Sequence, residues 1–190
     1  MESDLTNISF SRGLGKRVLI IGDVGTGKTE LTRRLLMEAF ESGYGPSITV
    51  MDMAPHATTI RGLSVGGVLV DPEDLGVRYL GVDDIRTPRL SAKNAEELLR
   101  LADYNRTEIE ELLERFVADP TGILFINDIS IYLQSGDLEL LWSTLGKAET
   151  VVANGYIGER LKDDLGTGVS AREEEMMGEL ADRMDVVIHL

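Results

Sequence analysis

The chain has 190 residues, 43% of them hydrophobic, enough to bury a sizeable core in one compact domain spanning residues 1–190. It contains no cysteine, which excludes disulfides, thiolate nucleophiles and cysteine-ligated zinc, and its formal net charge of -14 disfavours binding to a nucleic-acid backbone. No apolar run is long enough to cross a bilayer, and the opening residues MESDLTNISF lack the basic and apolar regions of a signal peptide, so a cytoplasmic protein without a membrane partner is expected.

In chain order, residues Arg17 to Ile21 form a run rich in β-branched residues that ends in glycines, and from Thr29 the apolar positions Leu31, Leu35, Leu36, Ala39 and Phe40 recur at helical spacing. This predicts strand, glycine-rich loop, helix. Gly43 and Gly45 stop the helix, and Ser47 to Met51 form a second strand that closes on Asp52 and a turn at Pro55. Gly66-Gly67 lies between two β-prone flanks in the stretch from Arg61 to Asp71, which predicts a small hairpin.

Asn94 with Glu97, and Thr107 with Glu110, each have capping-box spacing, so two helices are expected, the second with the apolar stripe Ile109, Leu112, Leu113, Phe116 and Val117. After the turn at Asp119 to Gly122, Ile123 to Asn127 is almost wholly apolar, as befits a strand covered on both faces, and Asp128 follows it. Asp137 caps a helix bearing Leu138, Leu141, Trp142 and Leu145, and Thr150 to Ala153 is the next strand. Ser170 with Glu173 starts a last helix, and Asp185 to Leu190 is a last strand.

Strands alternating with amphipathic helices define an α/β fold, a mostly parallel sheet with helices on both faces and a small β-hairpin insertion. Ligands of such sheets bind at the carboxyl ends of the strands, and Gly22, Asp52, Asp128 and Asn154 all fall at predicted carboxyl ends.

The segment Gly22-Asp23-Val24-Gly25-Thr26-Gly27-Lys28-Thr29 fits G-x-x-x-x-G-K-[ST] completely and resembles the Walker A loop of the P-loop NTPase superfamily. The glycines let backbone N–H groups turn inward toward phosphate oxygens, the helix start adds the positive end of its dipole, and Lys28 bridges the terminal phosphates. Thr29 then offers a hydroxyl to Mg²⁺. Ile123 to Asp128 resembles the superfamily's Walker B strand, with Asp128 in the acidic position that holds the metal. Ile129 stands where many P-loop ATPases carry a water-activating glutamate, a departure that weighs against a motor or helicase.

Asp52 supplies a second carboxylate, in a layout similar to the kinase-like branches, where such a group orients water or receives a hydroxyl proton. The strand ending at Asp128 is expected to lie nearest the phosphate loop. Asn154-Gly155-Tyr156 replaces the Asn-Lys-x-Asp element that reads guanine, so ATP is expected over GTP. Between Gly158 and Gly168 lies a lid-like loop whose Arg160 is placed to reach a γ-phosphate. No role falls to His56 or His189.

The resemblance implies Mg²⁺-dependent binding and hydrolysis of a nucleoside triphosphate, with a protein partner if the chain is a regulatory switch. It leaves open a phosphotransferase acting on a small molecule or polynucleotide end, because the layout through Tyr79-Leu80-Gly81 is similar to that of polynucleotide 5′-hydroxyl kinases, and a nucleotide-binding module with little turnover.

Overall fold

A computed structural model describes residues 8–60 and 62–190. The opening residues Met1 to Asn7 and the hairpin position Arg61 lie outside the described residues. A short helix α1 (Phe10–Gly13) precedes strand β1 (Arg17–Gly22), the glycine-rich loop and helix α2 (Lys28–Ala39). The helix runs on through a π turn, Phe40–Tyr44, and a 3₁₀ turn, Gly45–Ser47, into β2 (Ile48–Asp52).

The hairpin follows as β3 (Thr58–Ile60) and β4 (Leu63–Val65), paired antiparallel. It turns around Gly62 rather than at Gly66-Gly67. Those two glycines instead bring the chain back across the β2–β3 connection, with Gly67 N donating to Pro55 O at 2.8 Å.

Next come α3 (Pro72–Leu75), β5 (Arg78–Gly81), α4 (Pro88–Ser91) and α5 (Ala95–Ala118). Asn94 caps α5 through the Glu97 amide, as its spacing predicts, but α5 is a single helix of 24 residues where two were expected. Thr107 does not open a second helix, because its hydroxyl donates back to Asp103 O one turn earlier, a bond made within a continuing helix.

The chain closes with β6 (Ile123–Asn127), α6 (Ser130–Leu133), α7 (Leu138–Leu145), β7 (Thr150–Tyr156), α8 (Val169–Arg183) and β8 (Val186–His189). Helix α8 begins after Gly168, so Ser170 lies inside it and Glu173 is not a cap. Strand β7 extends past its apolar run, so Asn154 sits within the strand rather than at its end.

The six main strands form one parallel sheet in the order β5-β2-β6-β7-β1-β8. This corrects one expectation. Strand β7, not the β6 strand that ends before Asp128, pairs with β1, and β6 stands one strand further away.

Alternate strand residues feed two cores. Leu19, Leu124, Ile126 and Val151 pack beneath α5, α7 and α8 on one face. Val18, Ile20, Ile123 and Phe125 pack with Phe10 of α1 and Leu35 and Leu36 of α2 on the other. Each face of the sheet removes apolar area from water at about 25 cal/mol per Å². The strand ends that carry polar residues are left as the rim of a cleft.

Candidate nucleotide site

The loop from Gly22 to Thr29 joins β1 to α2 and owes its shape to Gly25 (φ 78°) and Gly27 (φ 92°), left-handed positions that a side chain would strain. Lys28 opens α2, and its Nζ donates to Asp23 O across the loop at 2.6 Å, so the ammonium is tied back to the loop's own backbone. Burial pushes the Lys28 pKa down, while the charges of Asp128 and Asp23 act against that.

One cleft of about 120 Å³ is lined by Val24, Gly25, Lys28 and Thr29 from the loop, and by Asn127, Asp128 and Asn154 from β6 and β7. The two motifs found far apart in sequence thus meet. Asp128 has an unusual backbone for a non-glycine, φ 58°, held by its own N–H donating to Asn154 Oδ1 at 2.9 Å and by Ile129 N donating to Asn154 O at 2.8 Å. Its Oδ1 accepts from Ser130 at 2.7 Å, which orients the carboxylate. Burial raises its pKa, opposed by the Ser130 hydrogen bond and the charges of Lys28 and Arg89. Among the described residues no three His, Cys, Asp or Glu cluster to make a metal cage. The hard oxygen ligands that the cleft offers a divalent cation are Thr29 and Asp128, a set that suits Mg²⁺ bound jointly with phosphate oxygens.

Asp52 is placed differently. It is 2% exposed and does not line this cleft. Its Oδ2 accepts from Leu69 N at 2.6 Å, and its Oδ1 accepts from Asn127 Nδ2 at 2.9 Å and Ala54 N at 3.2 Å. Burial raises its pKa, against the lowering effect of those hydrogen bonds. Asn127 Nδ2 also donates to Gly67 O at 2.9 Å, and Asn154 Nδ2 donates to Asn127 Oδ1 at 3.1 Å and to Thr32 Oγ1 at 2.9 Å. Thr32 in turn donates to Lys28 O at 2.8 Å. A buried chain of side-chain hydrogen bonds therefore runs from the start of α2, across β7, β6 and β2, to the Gly67–Leu69 segment. Sequence reading places Asn154 at a strand's carboxyl end but assigns Asn127 no role beyond its strand, and the bond joining the two is set by tertiary packing.

Asp23 ties the loop after β7 to the phosphate loop. Its Oδ1 accepts from Val24 N at 2.6 Å and its Oδ2 from Glu159 N at 3.0 Å. Burial acts to raise its pKa but is outweighed by backbone hydrogen bonds from Glu159, Val24 and Arg160 and by the Arg160 charge, so the net shift is down. Gly158 packs against the Asp23 carboxylate so closely that any Cβ there would collide with it. Arg160 is exposed and lies along the rim, with its Nη1 3.5 Å from Val24 O. Thr26 needs no outside partner, since its hydroxyl donates to Asp23 O at 3.0 Å within the loop.

Beyond Asp128 stands a buried polar group that spacing alone did not reveal. Arg89 of α4 pairs with Glu173 of α8 at 2.8 Å, with side chains 7% and 2% exposed, and stacks over Tyr156 at 5.3 Å. Ser170 and Glu173 had the spacing of a helix cap, and only tertiary packing shows that they face Arg89.

No family model matches the chain. Among curated proteins it is similar to Protein CLP1 homolog 5 of Arabidopsis thaliana, 27% identical over 141 residues, which make up 68% of this chain and 33% of that protein. The chain thus spans about a third of that relative's length. Among solved structures it overlays on the flagellar accessory protein FlaH from Methanocaldococcus jannaschii with a TM-score of 0.53 and 12% identity, over 93% of this chain and 71% of that one, a likeness of fold. Pif1 helicase from Candida albicans overlays too loosely to bear on the fold, with a TM-score of 0.37 and 15% identity over 93% of this chain and 36% of that one. With a complete Walker A-type loop at the head of a parallel sheet, the chain has the fold of the P-loop NTPases.

Proposed function

We propose that the chain binds a Mg²⁺-nucleoside triphosphate, ATP in preference to GTP, and cleaves its terminal phosphoanhydride. The carrying observation is the single cleft lined by Lys28 and Thr29 from the phosphate loop and by Asp128. Backbone amides of Gly22 to Thr29, Asp23 and Val24 among them, would receive the phosphates, and Lys28 would leave Asp23 O to bridge the terminal pair. Thr29 and Asp128 would hold Mg²⁺, which when bound supplies charge neutralisation at the phosphate oxygens.

Asp52 acts in this reading through Asn127, fixing the Gly67–Leu69 segment, because all three of its hydrogen bonds already engage the carboxylate. Arg160 would swing from the rim to the terminal phosphate on closure. The preference for ATP follows from Asn154-Gly155-Tyr156 at the position of a guanine-reading element. Competition titration with Mg-ATP and Mg-GTP tests it, and equal or tighter GTP binding would reverse the assignment.

Phosphoryl transfer to an acceptor is a second reading, favoured by one observation: a separate cavity adjoins the cleft on the far side of Asp128. ADP formation measured with and without hydroxyl compounds separates the two, since a hydrolase turns over in water alone.

A further inference from the structure

The cavity beyond Asp128 has a volume of about 60 Å³, room for roughly two water molecules at about 30 Å³ each. It shares Val65, Asp128, Tyr156 and Leu161 with the phosphate-loop cleft, so the two spaces are neighbours across these four residues. Its walls come from α4, α6, the hairpin and the loop after β7, and they are mostly apolar, with Pro55, Val65, Pro88, Leu90, Ile131 and Leu161 among them.

The polar groups of the cavity define what can enter. Arg89 is the cation among its lining residues, and that guanidinium is already committed to Glu173, to Ser170 Oγ at 3.3 Å and to the face of Tyr156. An anionic occupant would therefore find no free positive charge. Ser130 Oγ donates to Asp128 and accepts from Tyr156 N at 2.9 Å, so it too is engaged.

Gln134 is different. Its side chain is almost wholly buried, its Nε2 donates to Glu173 Oε2 at 2.8 Å, and its Oε1 has no partner. Rotating the amide would set its oxygen against the Glu173 carboxylate, so the orphan oxygen is fixed by the Arg89–Glu173 pair. That oxygen is closed off from any molecule the size of water, so it fixes the wall and is not a contact for an occupant. The acceptor that the cavity offers an occupant is Asp128, set in mostly apolar walls.

We propose that this cavity is an acceptor subsite for a small uncharged compound that presents a hydroxyl group. The proposal rests on the reading of the adjoining cleft as a triphosphate site. From the cavity, an occupant's hydroxyl oxygen would approach the terminal phosphate from the side opposite the phosphate loop, as in-line displacement requires. That oxygen forms a bond to the γ-phosphorus while the bond from phosphorus to the β,γ-bridging oxygen breaks; ADP leaves with the electron pair, and the hydroxyl proton passes to water. A polynucleotide end, with its phosphodiester charges, does not fit this lining.

Ligand-observed NMR on the purified protein with ethanol, propan-1-ol and ethane-1,2-diol, alcohols small enough for a cavity of about 60 Å³, each with and without Mg-ATP, tests the assignment. A 5′-hydroxyl RNA oligonucleotide and glycerate serve as charged competitors. Saturable binding of at least one alcohol is expected, with a new phosphate monoester formed one-for-one with ADP. Leu90→Trp, or Ile131→Phe from α6, residues that line the cavity and not the phosphate-loop cleft, should weaken alcohol binding at least tenfold and keep Mg-ATP affinity within twofold, which also reports that the variant is folded. Absence of saturable alcohol binding, a preference for RNA or glycerate, or alcohol binding unchanged in both variants would each overturn the subsite. Failure of the parent to bind Mg-ATP would instead defeat the triphosphate reading, while alcohol binding lost on Leu90→Trp would leave the cavity as a binding site.

Discussion

Asn154 on β7 donates from its side-chain nitrogen to the side-chain oxygen of Asn127 on β6, 3.1 Å away, and this bond joins the start of α2 to the segment held by Asp52. Both amides are buried, so removing either leaves its neighbours unsatisfied. Asn127→Ala is expected to cost about 1–3 kcal/mol in urea unfolding. Because the two residues share partners, Asn127→Ala and Asn154→Ala should be non-additive by about 0.5–3 kcal/mol in a double-mutant cycle. Strict additivity would mean that the chain of hydrogen bonds does not act as a unit.

The two carboxylates should separate by variant. Asp128→Asn is predicted to lower Mg-ATP affinity with little change in stability, since Asp128 is partly exposed and a neutral amide is a poor ligand for a divalent cation. In Asp52→Asn, an NH₂ group replaces one oxygen and faces a donor, either Leu69 N or the Asn127 and Ala54 donors. That variant should lose about 1–3 kcal/mol of stability and slow turnover up to about 10²-fold, with a smaller effect on affinity. Calorimetry with Mg-ATP and urea melts of both variants decide between these roles; the reverse pattern would exchange them.

Gly158→Ala places a methyl group against the Asp23 carboxylate and should prise the loop after β7 from the phosphate loop. Faster amide exchange at Glu159 and Arg160 is expected, with that at the core strand β6 unchanged. Exchange unchanged at both amides would show that the loop is held by something other than Asp23.

Burial lifts the Glu173 carboxyl to about 7, above the ordinary value of 4.5, with the Arg89 charge and the Gln134 hydrogen bond acting against the rise. A raised native pKa means that the folded state binds the proton more tightly. Its contribution to stability is therefore fully present below about 4.5 and lost as the pH rises through about 7. Relative to Glu173→Gln, the parent should lose stability between pH 5 and 8, measured by urea unfolding. Parallel curves for the two proteins would place the titration elsewhere.

Much of the fold was legible because local chemistry and tertiary fate agree. Residues Ile123 to Asn127 read as a doubly covered strand and are one, and Asn94 and Asp137 cap the helices their spacing predicts. Where local signals were ambiguous, distant partners decided. Asn105, a polar residue in mid-helix, holds Arg86 N at 2.8 Å and Arg86 O at 3.0 Å, so the polar stretch before Thr107 is a tertiary anchor within one helix and not a break between two. Glu173 was drawn from its expected cap by Arg89, a residue 84 positions away. The place of β7 between β1 and β6 depends on how crossovers pass over the sheet, which no strand's own residues encode. The phosphate loop was readable because its chemistry is confined to eight consecutive residues, whereas the Asp52–Asn127–Asn154–Thr32 chain draws one residue from each of four elements.

The most direct measurement of the central claim is calorimetric titration of Mg-ATP into the parent and into Lys28→Ala. Lys28 contacts Asp23 O at the mouth of the cleft and not the apolar cores, so the variant should fold as the parent does. Saturable binding to the parent is expected, weakened in the variant by about 1.5–3 kcal/mol, the worth of a hydrogen bond to a charged group. Equal affinity in the two proteins, or no binding to either, would contradict the assignment of the Gly22–Thr29 loop as a triphosphate site.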